Sequence, residues 1–165
     1  MVCPEENEKQ SEYSPDPPGV ILDAEVLGRI IIAPEHIDEE TGEIKAAAFK
    51  KDELKGEGLS LSRLSFATER ELETHADLLS SSREQNKFIG IIQGQVTSIR
   101  QIRDDGGTRT FCVIDDGLPD YASHSLIRRS GDQGDGTIRK ARNQLMKVFG
   151  VYPKAISEVL ETKEG

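Results

Sequence analysis

The sequence predicts an α+β domain with a mostly antiparallel sheet, two main helices and a disordered, acidic N-terminal tail. Three observations carry this. Runs rich in β-branched residues come in groups and do not alternate regularly with helices, as a doubly wound parallel fold would require. Two segments, one after Thr68 and one after Gly136, place apolar residues at helical spacing. Residues 1–20 hold four prolines and five acids with little to bury, a composition that does not build a core. Residues 21–165 are long enough for one domain with its own core, and no internal repeat is visible.

The elements follow in order. EVLGRIIIA (25–33) reads as a buried strand ended by Pro34. In the polar stretch after it, Glu39-Glu40-Thr41-Gly42 reads as a turn, EIKAAAF as a short apolar element, and Gly56 and Gly58 as a break. LSLSRLSF (59–66) alternates, with Leu59 and Leu61 on one face and Ser60, Ser62 and Leu64 on the other. Thr68 followed by Glu71 is a capping box, and Leu72, Ala76 and Leu79 then trace a helix over roughly 69–80. KFIGIIQGQVTSIRQI (87–102) reads as the longest strand, with Gly90 and Gly94 as points of bulging or close approach. Asp104-Asp105-Gly106-Gly107 then predicts a hairpin into TRTFCVIDD, and DGLPDYASHSLIRRS (116–130) reads as the chain leaving the sheet. After the loop GDQGDG, Ile138, Ala141, Leu145, Val148 and Phe149 trace the second helix, which Gly150 stops; KAISEVLE is a last weak helix.

Charge is unevenly spread. Residues 1–58 hold fifteen acids against six bases, so the whole net charge of −9 lies there. That balance argues against a general nucleic-acid binder. No apolar run is long enough for a membrane span and the N-terminus is not signal-like, so the expected location is the cytoplasm. Cys3 lies in the tail and Cys112 in an expected strand, and no disulfide between them is expected.

Few residues carry chemistry by spacing alone. His36, His75 and His124 have no His or Cys at ligand distance, so no metal site is expected. GDQGDG lacks the endings of a phosphate loop, and no cofactor is expected. Cys112 with His124, and Asp115, Asp116 and Asp120 between them, is a possible nucleophile pair, though Cys112 reads more simply as a small core residue. The basic run 121–149, with Arg128, Arg129, Arg139 and Arg142 as its candidate anion ligands, reads first as a solvated surface and second as a site for phosphate or an acidic partner.

Residues 28–63, with PDYASHSLI (119–127), resemble a loose group of small bacterial proteins without an established activity. In that group an Arg-bearing strand leads to a Gly-x-Ile/Val segment ending in Ala-Phe, a Leu-Ser-x-x-Arg strand, and a Pro-x-x-x-x-His element. Arg29, Gly42, Ala48, Phe49, Leu59, Ser60, Arg63, Pro119 and His124 fill those positions here. The resemblance implies a stand-alone bacterial protein and nominates Arg29, Ser60, Arg63 and His124 as one constellation. The arrangement is also loosely similar to ADP-ribosyltransferase-like folds. The expectation for function is an accessory protein acting through a protein partner, with no catalysis of its own. A small nucleotide- or phosphate-binding enzyme built on those four residues is the alternative, and RNA binding through residues 128–147 is the third.

Overall fold

The structure, a computed structural model, describes Cys3, Glu8 and residues 10–161. Five strands, β1 (Val26–Ala33), β2 (Leu59–Arg63), β3 (Lys87–Gln95), β4 (Phe111–Asp115) and β5 (His124–Arg129), form one sheet in the order β3-β1-β2-β5-β4. Every pairing is antiparallel, so the chain is α+β as its grouped strands predicted. Helices cover both faces: α1 (Lys51–Lys55), α3 (Val96–Arg100) and α4 (Asp135–Val148) on one, α2 (Glu69–Ser80) and α5 (Ile156–Glu161) on the other.

Alternation along the strands divides the core into these two layers. Leu27, Ile31, Leu59, Leu61, Val113 and Ile127 pack under Ile99, Ile138 and Leu145. Ile30, Ile32 and Ile91 pack under Leu72, Ala76 and Val159. Each Leu, Ile or Val among them contributes about 1.5–3 kcal/mol relative to exposure. The capping box at Thr68 is formed in full, and α2 runs over the residues its periodicity predicts. Gly90 is a close-approach point, because a Cβ there would lie 2.8 Å from Pro153 and 2.9 Å from the Lys154 carbonyl. The short apolar element is a 3-10 helix, Ala46–Phe49, whose Phe49 ring meets Phe149 at 5.2 Å.

Three expectations are corrected. The long strand 87–102 stops at Gln95, and Val96–Arg100 is helical. Residues 21–25 impose that break: the Val96 amide donates to the Glu25 carbonyl, Thr97 Oγ1 to the Asp23 carbonyl, and Arg100 to Asp23 and the Ile21 carbonyl. Tertiary capture outweighs the β-branched propensity. The Asp-Asp-Gly-Gly turn does not join two neighbouring strands, since β3 and β4 lie at opposite edges and only Arg103 and Arg109 bridge across it. The true hairpin is β4–β5, so residues 124–129 do not leave the sheet; they form a strand inside it.

The third correction concerns the two cysteines, between which no disulfide is expected from the sequence. Cys3 is disulfide-bonded to Cys112 of β4. Glu8 accepts from the Val113 amide and pairs with Arg109 and Arg100. The Ser11 amide and the Ser14 hydroxyl donate to Asp115. The described part of the N-terminal segment is therefore docked, because its polar groups meet polar partners that the sheet would otherwise leave unsatisfied. Among the described residues no helix is long and apolar enough to cross a membrane.

Candidate functional site

Ser60 and Ser62 of β2 share one face, opposite Leu59 and Leu61. The register pairs Ser62 with His124, which puts His124 on that same face with Ser60 within diagonal reach. Ser60 Oγ lies 2.6 Å from His124 Nε2. The other ring nitrogen, Nδ1, lies 2.9 Å from Asp116 Oδ2 and 3.0 Å from the Asp116 carbonyl. Both of those partners are acceptors, so we assign the proton to Nδ1. Nε2 is then free to accept from the Ser60 hydroxyl. Asp116 is held in place because its amide donates to the His124 carbonyl as the β4–β5 hairpin begins to turn. A serine, an imidazole and a carboxylate thus stand in hydrogen-bonded sequence.

Neighbouring groups fix this chain from behind. Glu71, the α2 capping residue, also accepts from the Ala122 amide at 2.9 Å and the Ser123 hydroxyl at 2.8 Å, tying the turn before His124 to α2. Tyr121 stacks obliquely on His124 at 5.1 Å and on His75 at 4.9 Å, and its hydroxyl bonds to Ser62. Burial pushes the Tyr121 phenol up to about 12, so it stays neutral at physiological pH.

Ser60 opens onto a cleft of about 570 Å³ whose walls include Gly58, Arg29, His36, His75 and Leu79. Burial pulls both histidines down to about 4, with the His124 imidazole adding to the effect on His75 and the Arg29 charge adding to it on His36. Both are neutral near pH 7. The Ile32 amide donating to His36 Nδ1 fixes that residue's unprotonated nitrogen. Arg29 is buried, and burial lowers its pKa against the opposing charge of Glu53, 3.8 Å away. It donates to the Ala48 carbonyl and to the carbonyl of Ser60 itself, so it positions the serine backbone. Gly58 has φ +128°, and a Cβ there would meet Leu126 at 3.0 Å, so this turn into β2 requires glycine.

Of the four residues nominated from sequence, Arg29, Ser60 and His124 converge and Arg63 does not. Arg63 is fully buried among other partners, and all its donors are used. It makes a two-pronged pair with Glu25 at 2.8 Å, bonds to Asp115 at 3.1 Å, and donates to the Gly19 and Val20 carbonyls. The Phe66 ring lies 4.9 Å away. It is a lock for the N-terminal segment with nothing left to offer a ligand.

The four arginines nominated as anion ligands do not all share one face of the sheet. Ile127 belongs to the core layer under α4, so by alternation Arg129 shares that face and Arg128 points to the other. Arg129 donates to the Gln133 carbonyl, Arg139 is exposed, and Arg142 is half-buried with its Nε unpartnered. The Cys112–His124 pairing also falls away, because Cys112 is consumed by Cys3.

Asp116, His75 and Glu71 are the residues that sequence reasoning did not place in the site. Asp116 carries a usable signal: it and His124 flank a proline-containing turn, and such a turn brings its flanks together in a hairpin. No family model matches the chain, and no curated protein or solved structure matches it.

Proposed function

We propose that the protein is a serine hydrolase of acyl esters, with Ser60 as nucleophile, His124 as general base and acid, and Asp116 holding the imidazole. The observation that carries this is the hydrogen-bonded order Ser60–His124–Asp116, at 2.6 and 2.9 Å, with the serine at the wall of a cleft and the histidine behind it. Ser60 Oγ attacks the ester carbonyl carbon while its proton passes to His124 Nε2. The tetrahedral oxyanion collapses, the C–O bond to the alcohol breaks, and His124 returns the proton to the leaving alkoxide. Water, deprotonated by His124, then cleaves the acyl-serine, releasing a carboxylic acid and restoring Ser60. His75, a neutral imidazole with no hydrogen-bond partner among the described residues, faces the cleft as a donor for the oxyanion. Arg29 acts as a positioning residue through the Ser60 carbonyl.

The test is labelling with a fluorophosphonate probe together with turnover of p-nitrophenyl butyrate. The full chain should show both, and Ser60→Ala should lose both while keeping its fold. A chain that shows neither, or a Ser60→Ala variant that still turns over ester, overturns the reading.

A second reading is the accessory protein acting through a protein partner. In its favour Tyr152 and Val151 are exposed, 82% and 59%, beside a groove lined by Ile44, Ile92 and Met146. The expected cytoplasmic location also belongs here as a proposal. In that compartment the Cys3–Cys112 disulfide meets a reducing thiol pool. Non-reducing mass analysis of protein from intact cells tests it.

A further inference from the structure

We propose that the ester cleaved at Ser60 carries a positive charge, a quaternary or primary ammonium on its alcohol or acyl part. This rests on the hydrolase reading and adds its substrate class. The cleft walls carry four carboxylates, Glu35, Asp52, Glu53 and Glu57, against two cations, Arg29 and Lys50. Both histidines there are held neutral. The cations are already engaged: Lys50 pairs with Glu35 at 2.5 Å, and Arg29 spends its donors on the Ala48 and Ser60 carbonyls with Glu53 close by. Asp52 and Glu57 are exposed and have no ion-pair partner among the described residues. Glu57 is three residues from the nucleophile.

An anionic substrate would meet this surplus of negative charge, and both cations of the cleft lining are already engaged. A phosphate or nucleotide ligand is disfavoured for the same reason. A cationic substrate instead sets its charge against two carboxylates, while Ile32 and Leu79 offer an apolar wall for an aliphatic chain. The interaction is exposed to solvent, so it is modest in size and weakened by salt.

The experiment compares three esters of similar size, butyrylcholine, ethyl butyrate and monoethyl succinate, by acid release from the full chain. The expected order of kcat/KM is cationic, neutral, anionic, with steps of about 5–10-fold at low salt that shrink at high salt. In the double variant Asp52→Asn/Glu57→Gln the ratio of kcat/KM for butyrylcholine to that for ethyl butyrate should fall to about 1. Equal rates for the three esters, or a faster anionic ester, with Ser60→Ala inactive, overturn the charge proposal and leave the hydrolase reading standing. Should no ester be cleaved, the hydrolase reading has failed. Calorimetric titration of Ser60→Ala with butyrylcholine and with ethyl butyrate then still decides: tighter butyrylcholine binding supports the charge preference, and equal binding overturns it.

Discussion

Asp115 and Asp116 are neighbours in the chain and belong to two different machines. Asp115 ends β4 on the face of Arg63, where it is buried and meets a guanidinium whose every donor is satisfied. Asp116 turns the other way, half-exposed, toward a histidine whose second nitrogen meets a serine at the edge of a cleft. The same separation runs through β2, where Arg63 joins the lock and Ser60 the site. One residue of strand register thus divides a closed network from an open one. The difference teaches that hydrogen bonding to a carboxylate does not by itself mark a functional site. What marks it is a chain of groups that ends on accessible space.

The sharpest way to break the comparison is Arg63→Ala. It strands two buried carboxylates and should destabilise the fold by about 3–5 kcal/mol in urea unfolding, or prevent folding. If it costs under ~1 kcal/mol, the closed network is not a lock. On the open side, Asp116→Asn should lower kcat by about 10²–10⁴-fold through the wrong imidazole tautomer while shifting stability by under ~1 kcal/mol. A loss of stability matching that of Arg63→Ala would erase the distinction between the two carboxylates.

Cys3→Ser removes a cross-link between residues 109 apart and should cost about 2–4 kcal/mol. Labelling of Ser60 should survive, since the disulfide belongs to the lock side; lost labelling in a folded variant would join the two regions. The pH dependence is smaller. His36 and His75 bind protons near pH 4 when folded and near 6.5 when unfolded, so the unfolded chain holds more protons between those values. Stability should be full above about pH 6.5 and fall as pH drops toward 4. A His36→Gln/His75→Gln variant should show a flatter melting-temperature profile over that window, and an unchanged slope refutes their part in it. Smallest of all, Arg139→Glu should move stability by no more than ~0.5 kcal/mol and leave ester turnover unaltered, because the residue is exposed on α4.

Sequence periodicity revealed β1, β2, α2 and α4 because each buries one face and shows it every second or every third to fourth residue. β5 was not legible. His124, Ser125, Arg128 and Arg129 give HSLIRR polar groups on both faces, so no apolar alternation marks it as a strand. α3 was misread for the opposite reason: VTSIR is β-rich, and only capture by residues 21–25 makes it helical. In the site, Ser60, His124 and Arg29 were visible as residue types, and Arg63 shares their chemistry but falls on the wrong side of the pleat. The bonds that tie Asp116 to His124 cross a turn whose closure depends on Glu71, more than forty residues earlier. No local pattern encodes that link.

The docking of Glu8 on the Val113 amide has a consequence for association between molecules. β4 is one of the two edge strands, and a bare row of amides and carbonyls at a sheet edge is a template for another chain's strand. By occupying part of that row, and by being pinned there through Cys3, the acidic segment keeps the edge from templating a neighbour. A chain shortened to begin at residue 21 should therefore scatter light in a concentration-dependent way, even under conditions where its helices remain formed.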